Sequence, residues 1–182
     1  MEAKTKFKSW LTLALFSRSL ESLKLETLTR PLKVGKVVTP ETLNDMTMGQ
    51  MVTLSSCEDG RKMFYVVCET LLGMKAKEVD RCKAVEVVRF VGCVVGRVQR
   101  INALFDGVKS KPEPEEVRAG IHKLNFGIFG LIDWYAKRMG ISDHEEVMHV
   151  TWGRVYKCLE MDNKTAEYQK RLQKIYIDEH RR

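Results

Sequence analysis

Apolar residues recur at intervals of three and four along most of this 182-residue chain, and that spacing predicts helices almost throughout. Phe7, Trp10, Leu11, Leu15, Phe16, Leu20 and Leu23 form one stripe on a helix from about Lys4 to Leu25. Pro31 and Gly35 then mark an extended connector, and Thr39-Pro40-Glu41 reads as the start of a short helix: a capping hydroxyl, a proline, an acid. Asp59-Gly60 reads as a turn, and a helix over Arg61–Leu72 is closed by Gly73. The longest element is expected over Lys77–Phe105, where Val79, Cys82, Val85, Val88, Val91, Val95, Val98, Ile101 and Phe105 keep the helical period. Its β-branched residues favour strands locally, but a period held over that length outweighs them. Gly92 and Gly96 on this helix read as a place where a neighbouring helix approaches closely.

The second half is punctuated more finely. Asp106–Pro114 reads as a linker, and a helix from Pro114 to about Met139 carries Val117, Ile121, Leu124, Ile128, Leu131 and Tyr135. Gly140 ends it, and Ser142 with Glu145 has the spacing of a capping box. Thr151 is expected to cap a short helix with Trp152, Val155, Tyr156 and Leu159 inward. Asn163 is expected to cap a last one, with Tyr168, Leu172, Ile175 and Tyr176 as its stripe.

The expected fold is all-α: an irregular multi-helix bundle with a long central helix and a C-terminal cluster of short helices. Residues 1–38 are expected to form a basic amphipathic arm or connector on a helical domain of residues 39–182. The expected core is Phe64, Val67, Leu71, Val88, Val91, Val95, Val98, Ile121, Leu124, Leu131, Trp134, Trp152, Tyr156 and Leu159.

Composition adds that the chain is globular, at 44% hydrophobic and 30% charged residues. The net charge of +7 is uneven. Residues 1–38 hold eight Lys and Arg against three acids, residues 161–182 hold six against four, and the body between them is neutral. Anionic partners are therefore expected at the ends. The longest uncharged stretch, Met46–Cys57, is twelve residues, well below the ~20 of a membrane span, and the apolar start lacks a small-x-small cleavage site. A location in the cytoplasm is expected.

Catalytic and metal motifs are missing from the sequence. The five cysteines lie at least eleven residues apart without a C-x-x-C pair, as expected of reduced thiols packed as small hydrophobes. His144 and His149 are five apart, about 140° around a helix, where the zincin pattern needs four. No phosphate-binding glycine loop and no nucleophile elbow occurs, and the Glu pairs at 115–116 and 145–146 sit where a helix dipole favours acids. The expectation is a protein that is not an enzyme and carries no cofactor or metal. Residues 140–159 have the layout of a helix-turn-helix, but the candidate recognition helix offers only Arg154 and Lys157 as basic contacts, after Glu145 and Glu146.

The run from Tyr135 to Tyr156, with Tyr135, Gly140, Ile141, Ser142, Glu145, Val147, Trp152 and Val155 at the matching positions, resembles small helical structural and assembly proteins of tailed bacteriophages. The resemblance covers about residues 131–175. It implies a virion or assembly role through helix-mediated protein contacts: tail-assembly chaperone, head–tail adaptor or packaged cargo. The implied partners are ring-forming virion subunits, tail proteins or a second copy, in a host cytoplasm or a virion. The basic arm departs from the chaperone pattern. Trp10, Phe16, Arg171 and Lys174 are the expected partner contacts. The alternative is a nucleic-acid-binding module using Lys4, Lys6, Lys8, Arg154 and Lys157, with Lys170, Arg171 and Lys174.

Overall fold

Helices follow one another along nearly the whole chain in the computed structural model, which describes residues 5–16, 29–108, 112–124 and 126–180. They are α1 (Phe7–Phe16), α2 (Met48–Ser55), α3 (Gly60–Leu72), α4 (Ala76–Val79), α5 (Ala84–Val108), α6 (Pro114–Arg118), α7 (Gly127–Met139), α8 (His144–Met148) and α9 (Trp152–His180). A two-residue hairpin, β1 (Lys33–Val34) and β2 (Val37–Val38), pairs Lys33 with Val38 and Val34 with Val37. The fold is all-α, as the spacing predicts. The chain divides into two compact units between Asn102 and Ala103, within α5.

The first unit is a well-filled helical core. Phe7, Val34, Met48, Phe64, Val67, Val79, Val87, Val88, Phe90 and Val91 are at most 2% exposed. Local chemistry fixes each entry. Thr47 caps α2 in a reciprocal box with Gln50, and the Asp59 carboxylate caps α3 by accepting from the Arg61 and Lys62 amides. Gly73 closes α3 at φ +65°. The hairpin turns at Gly35, whose φ of +59° suits only glycine well, and Gly35 N donates to Glu86 Oε2 at 2.9 Å.

The opening residues are part of this core. Phe7 is fully buried, with ring centroids 5.3 Å from Phe64 and 5.7 Å from Tyr65. Phe7 N donates to Cys82 O and Ala84 N to Thr5 O, both at 2.8 Å, and Lys6 bridges Lys83. Within the expected arm or connector of residues 1–38, residues 5–11 are thus packed and paired with the first unit. Lys4 and residues 17–28 lie outside the described residues, as does the Phe16 side chain.

The same pairing explains a break in the expected central helix. The apolar period runs from Val79 through Val88, yet the helix stops after Val79 and restarts at Ala84. The Asp80, Arg81 and Cys82 amides still turn back on Ala76, Glu78 and Val79, but the Asp80 and Cys82 carbonyls and the Ala84 amide bond to Lys8, Phe7 and Thr5 instead of continuing the helix. Thr39 likewise does not start a helix. Its hydroxyl donates to Pro31 O and accepts from Arg30 Nη1, so it is spent on the connector and the helix begins eight residues later at Thr47.

The second unit is thinner. Tyr135, Ala136, Val147 and Val155 are buried, and the Phe105 ring packs on Tyr156 at 5.5 Å. The helix expected over residues 114–139 is split: Gly120 (φ +86°) and Gly127 (φ +54°) take left-handed conformations on either side of a 3₁₀ turn, Ile121–Lys123. Asp143, one residue after Ser142, caps α8. The expected cluster of short C-terminal helices is α8 plus one 29-residue helix. Asn163 does not start a new helix, because its Nδ2 donates to Leu159 O within α9. Across that point Glu160 pairs with both Lys157 and Lys164 at 2.7 Å, three residues back and four ahead, which supports helical continuity.

Candidate interaction surfaces

Burial separates the two units sharply. Among the described residues, 22 hydrophobic side chains are buried in the first unit and six in the second. Of the fifteen exposed large hydrophobics, thirteen belong to the second unit. Leu124 (62%), Phe126 (69%) and Phe129 (58%) are among the most exposed. The expected core positions Ile121 and Leu124 are therefore surface, while Leu71, Val95, Leu131, Trp134, Trp152, Tyr156 and Leu159 are half-buried. The core members missed from the sequence include Phe7, Val34, Phe90, Tyr135 and Val147.

The helix α9 has two apolar sides. Its first two turns turn Trp152, Val155, Tyr156 and Leu159 toward its own unit: Val155 is fully buried, and Trp152 and Tyr156 meet the Phe105 ring. Further along, Met161, Tyr168, Leu172 and Ile175 step by seven, four and three. At 3.6 residues per turn this second row lies roughly 180° from the first. Met161, Tyr168 and Ile175 are more than half exposed and Leu172 is half-buried. The steps of three and four, with Thr165 filling the gap, are those of a coiled-coil seam.

On the far side from this seam, Lys170 Nζ lies 3.8 Å from Glu116 and Lys174 Nζ 3.5 Å from Glu113, so α6 is tied to α9 there. Of the expected partner contacts, Lys174 is thus engaged within its own unit. Arg171 flanks the seam, exposed and with no ion-pair partner among the described residues. Trp10 stacks on Phe7 (5.9 Å) and meets Phe64 edge-on (6.0 Å), so it is occupied within the first unit.

The expected nucleic-acid contacts separate in the same way. Arg154 and Lys157 lie on α9, and the Lys157 ammonium is held by Glu160, which raises its pKa and pulls the Glu160 carboxyl down to about 2. Lys6 and Lys8 belong to the first unit, at the edge of a hollow they share with Lys77 and Arg81.

His144 and His149 do not converge. His144 Nε2 is 3.4 Å from Asp133 Oδ1 with the Phe129 ring edge-on at 5.2 Å, while His149 caps the end of α8. Asp133 is held below the usual carboxylate range, first by Lys137 and then by His144. No cluster of three metal-binding side chains occurs among the described residues, and none of their helices is long and apolar enough to cross a membrane. No family model matches the chain, and no curated protein or solved structure matches it either.

Proposed function

We propose that this protein acts by helix-mediated contacts with another protein, as a non-enzymatic structural or assembly component of the tailed-phage type. The observation that carries the reading is the second apolar row on α9, which faces away from the helix's own unit. Exposed apolar side chains in a coiled-coil register are costly to leave in water and are matched by a helix of the same register. The partner surface is therefore a helix with an apolar seam. Its flank is acidic, to meet Arg171 beside the row. The exposed Phe126 and Phe129 add to the apolar character of this unit. The virion or assembly role rests on the resemblance of residues 131–175 to tailed-phage helical proteins.

Placing charge in the seam tests the reading. Tyr168→Glu with Ile175→Glu should abolish co-purification of a helical partner from cells that make this protein natively, with the far-UV circular dichroism of the isolated chain unchanged. Retention of every partner by the double variant would overturn it.

A further inference from the structure

We infer that the hollow between the start of α1 and the α4–α5 break is a binding site for a phosphate group. The inference concerns the first unit and does not rest on the α9 seam. The hollow measures about 320 Å³ and is lined by Lys6, Lys8, Ser9, Lys77, Asp80 and Arg81. That is the low end of small-ligand pockets, about 300–1,000 Å³, and too small for a folded segment.

The backbone builds it. Burial of Phe7 holds the backbone of the neighbouring Lys6 and Lys8, and the Phe7–Cys82, Lys8–Asp80 and Thr5–Ala84 hydrogen bonds clamp this strand of chain to the gap after α4. Two cations from each side thus line one space, although about seventy residues separate them in sequence. None of the four makes an ion pair with a described residue. The one carboxylate among the described lining residues, Asp80, accepts the Tyr65 hydroxyl at 2.9 Å.

Among the described lining residues four cations face one carboxylate, so the hollow carries a net positive charge that a multivalent anion offsets. Lysine and arginine donors with the Ser9 hydroxyl suit phosphate oxygens. A singly charged carboxylate would leave most of the charge unmatched. Among the described lining residues there is no aromatic ring on which a base could stack, so the site would read phosphate and no sequence. The phosphate could belong to a small phosphate compound or to a nucleic-acid backbone.

Two probes separate these sources: pyrophosphate by calorimetry and a labelled single-stranded oligonucleotide by anisotropy, both at about 50 mM salt, where such contacts are strong. The full chain should bind pyrophosphate. Lys77→Glu with Arg81→Glu should weaken it at least tenfold, and Arg154→Glu with Lys157→Glu on α9 should leave it unchanged. A parallel loss of oligonucleotide binding assigns the phosphate to a backbone; pyrophosphate binding alone assigns it to a small compound. Pyrophosphate should also protect Lys6, Lys8 and Lys77 of the unaltered chain from acylation, a measurement independent of any variant. Failure to bind either probe, equal weakening by both double variants, or binding without protection of these lysines would each overturn the inference.

Discussion

The Tyr65 hydroxyl donates a 2.9 Å hydrogen bond to Oδ1 of Asp80, fifteen residues further along the chain. It joins α3 to the point where the chain leaves its helical path, and it engages the carboxylate that borders the basic hollow. Burial first, and the Asp80 bond second, push the Tyr65 pKa up to about 12. A raised value means that the folded state holds the proton more tightly than the unfolded chain. The contribution is full below about pH 10, the usual tyrosine value, and is lost as pH rises through 12.

Tyr65→Phe should lower stability by about 1 kcal/mol, the scale of one hydrogen bond. It should also flatten the alkaline limb of the stability–pH profile. Denaturant melts between pH 8 and 12 check both effects.

Gly35 is held at φ +59°, and a Cβ there would stand 2.9 Å from Cys82 Sγ. Gly35→Ala should cost about 1–3 kcal/mol, from the left-handed backbone and the close contact together. Adding Cys82→Ala should restore the contact part and leave the backbone part, which a double-mutant cycle in urea would resolve.

Thiol reactivity follows burial. Cys68 is fully buried and its pKa is pushed up to about 12; burial also raises that of Cys82, with Glu86 and Glu78 adding to it. Alkylation of the native protein at pH 8 should label Cys57, Cys93 and Cys158 well before these two, as followed by mass spectrometry. Labelling of Cys68 at the rate of Cys57 would mean that the first unit is not packed as described.

Glu160 should titrate near pH 2, since hydrogen bonds from Lys157 and then Lys164 favour its charged form. The helical support it gives is present above the ordinary glutamate value and is lost as pH falls through 2. Carboxyl carbon shifts followed by NMR from pH 5 to 1.5 measure it directly. Glu160→Gln should remove the effect by weakening α9 where its two halves join.

Local signals account for what was legible in the sequence. The all-α class, α3 with its Gly73 stop and the long α5 follow from spacing and caps that act within a few residues. The misplaced boundaries have non-local causes. Thr39 has the chemistry of a cap but bonds to Arg30 and Pro31, and the period through Val79–Val88 is cut because residues 5–8 pair with the gap. The C-terminal stripe of Tyr168, Leu172 and Ile175 was visible from spacing alone. That it faces away from Val155 depends on α9 running unbroken past Asn163, which the Glu160 pairs support. The basic hollow is half legible: the sequence marks Lys6 and Lys8 as candidate cationic contacts, but Lys77 and Arg81 join them only through tertiary pairing.

We propose the outward row of α9 as the surface that meets the partner. Site-specific photocrosslinking tests it most directly, with benzoylphenylalanine in place of Tyr168 and, as a control, of the exposed Lys62 on α3, in cells that make the protein natively. A discrete adduct is expected from position 168 and none from position 62, mapping to an acid-flanked apolar helix of a different protein. No adduct at position 168, or one only to a second copy of this chain, would contradict it.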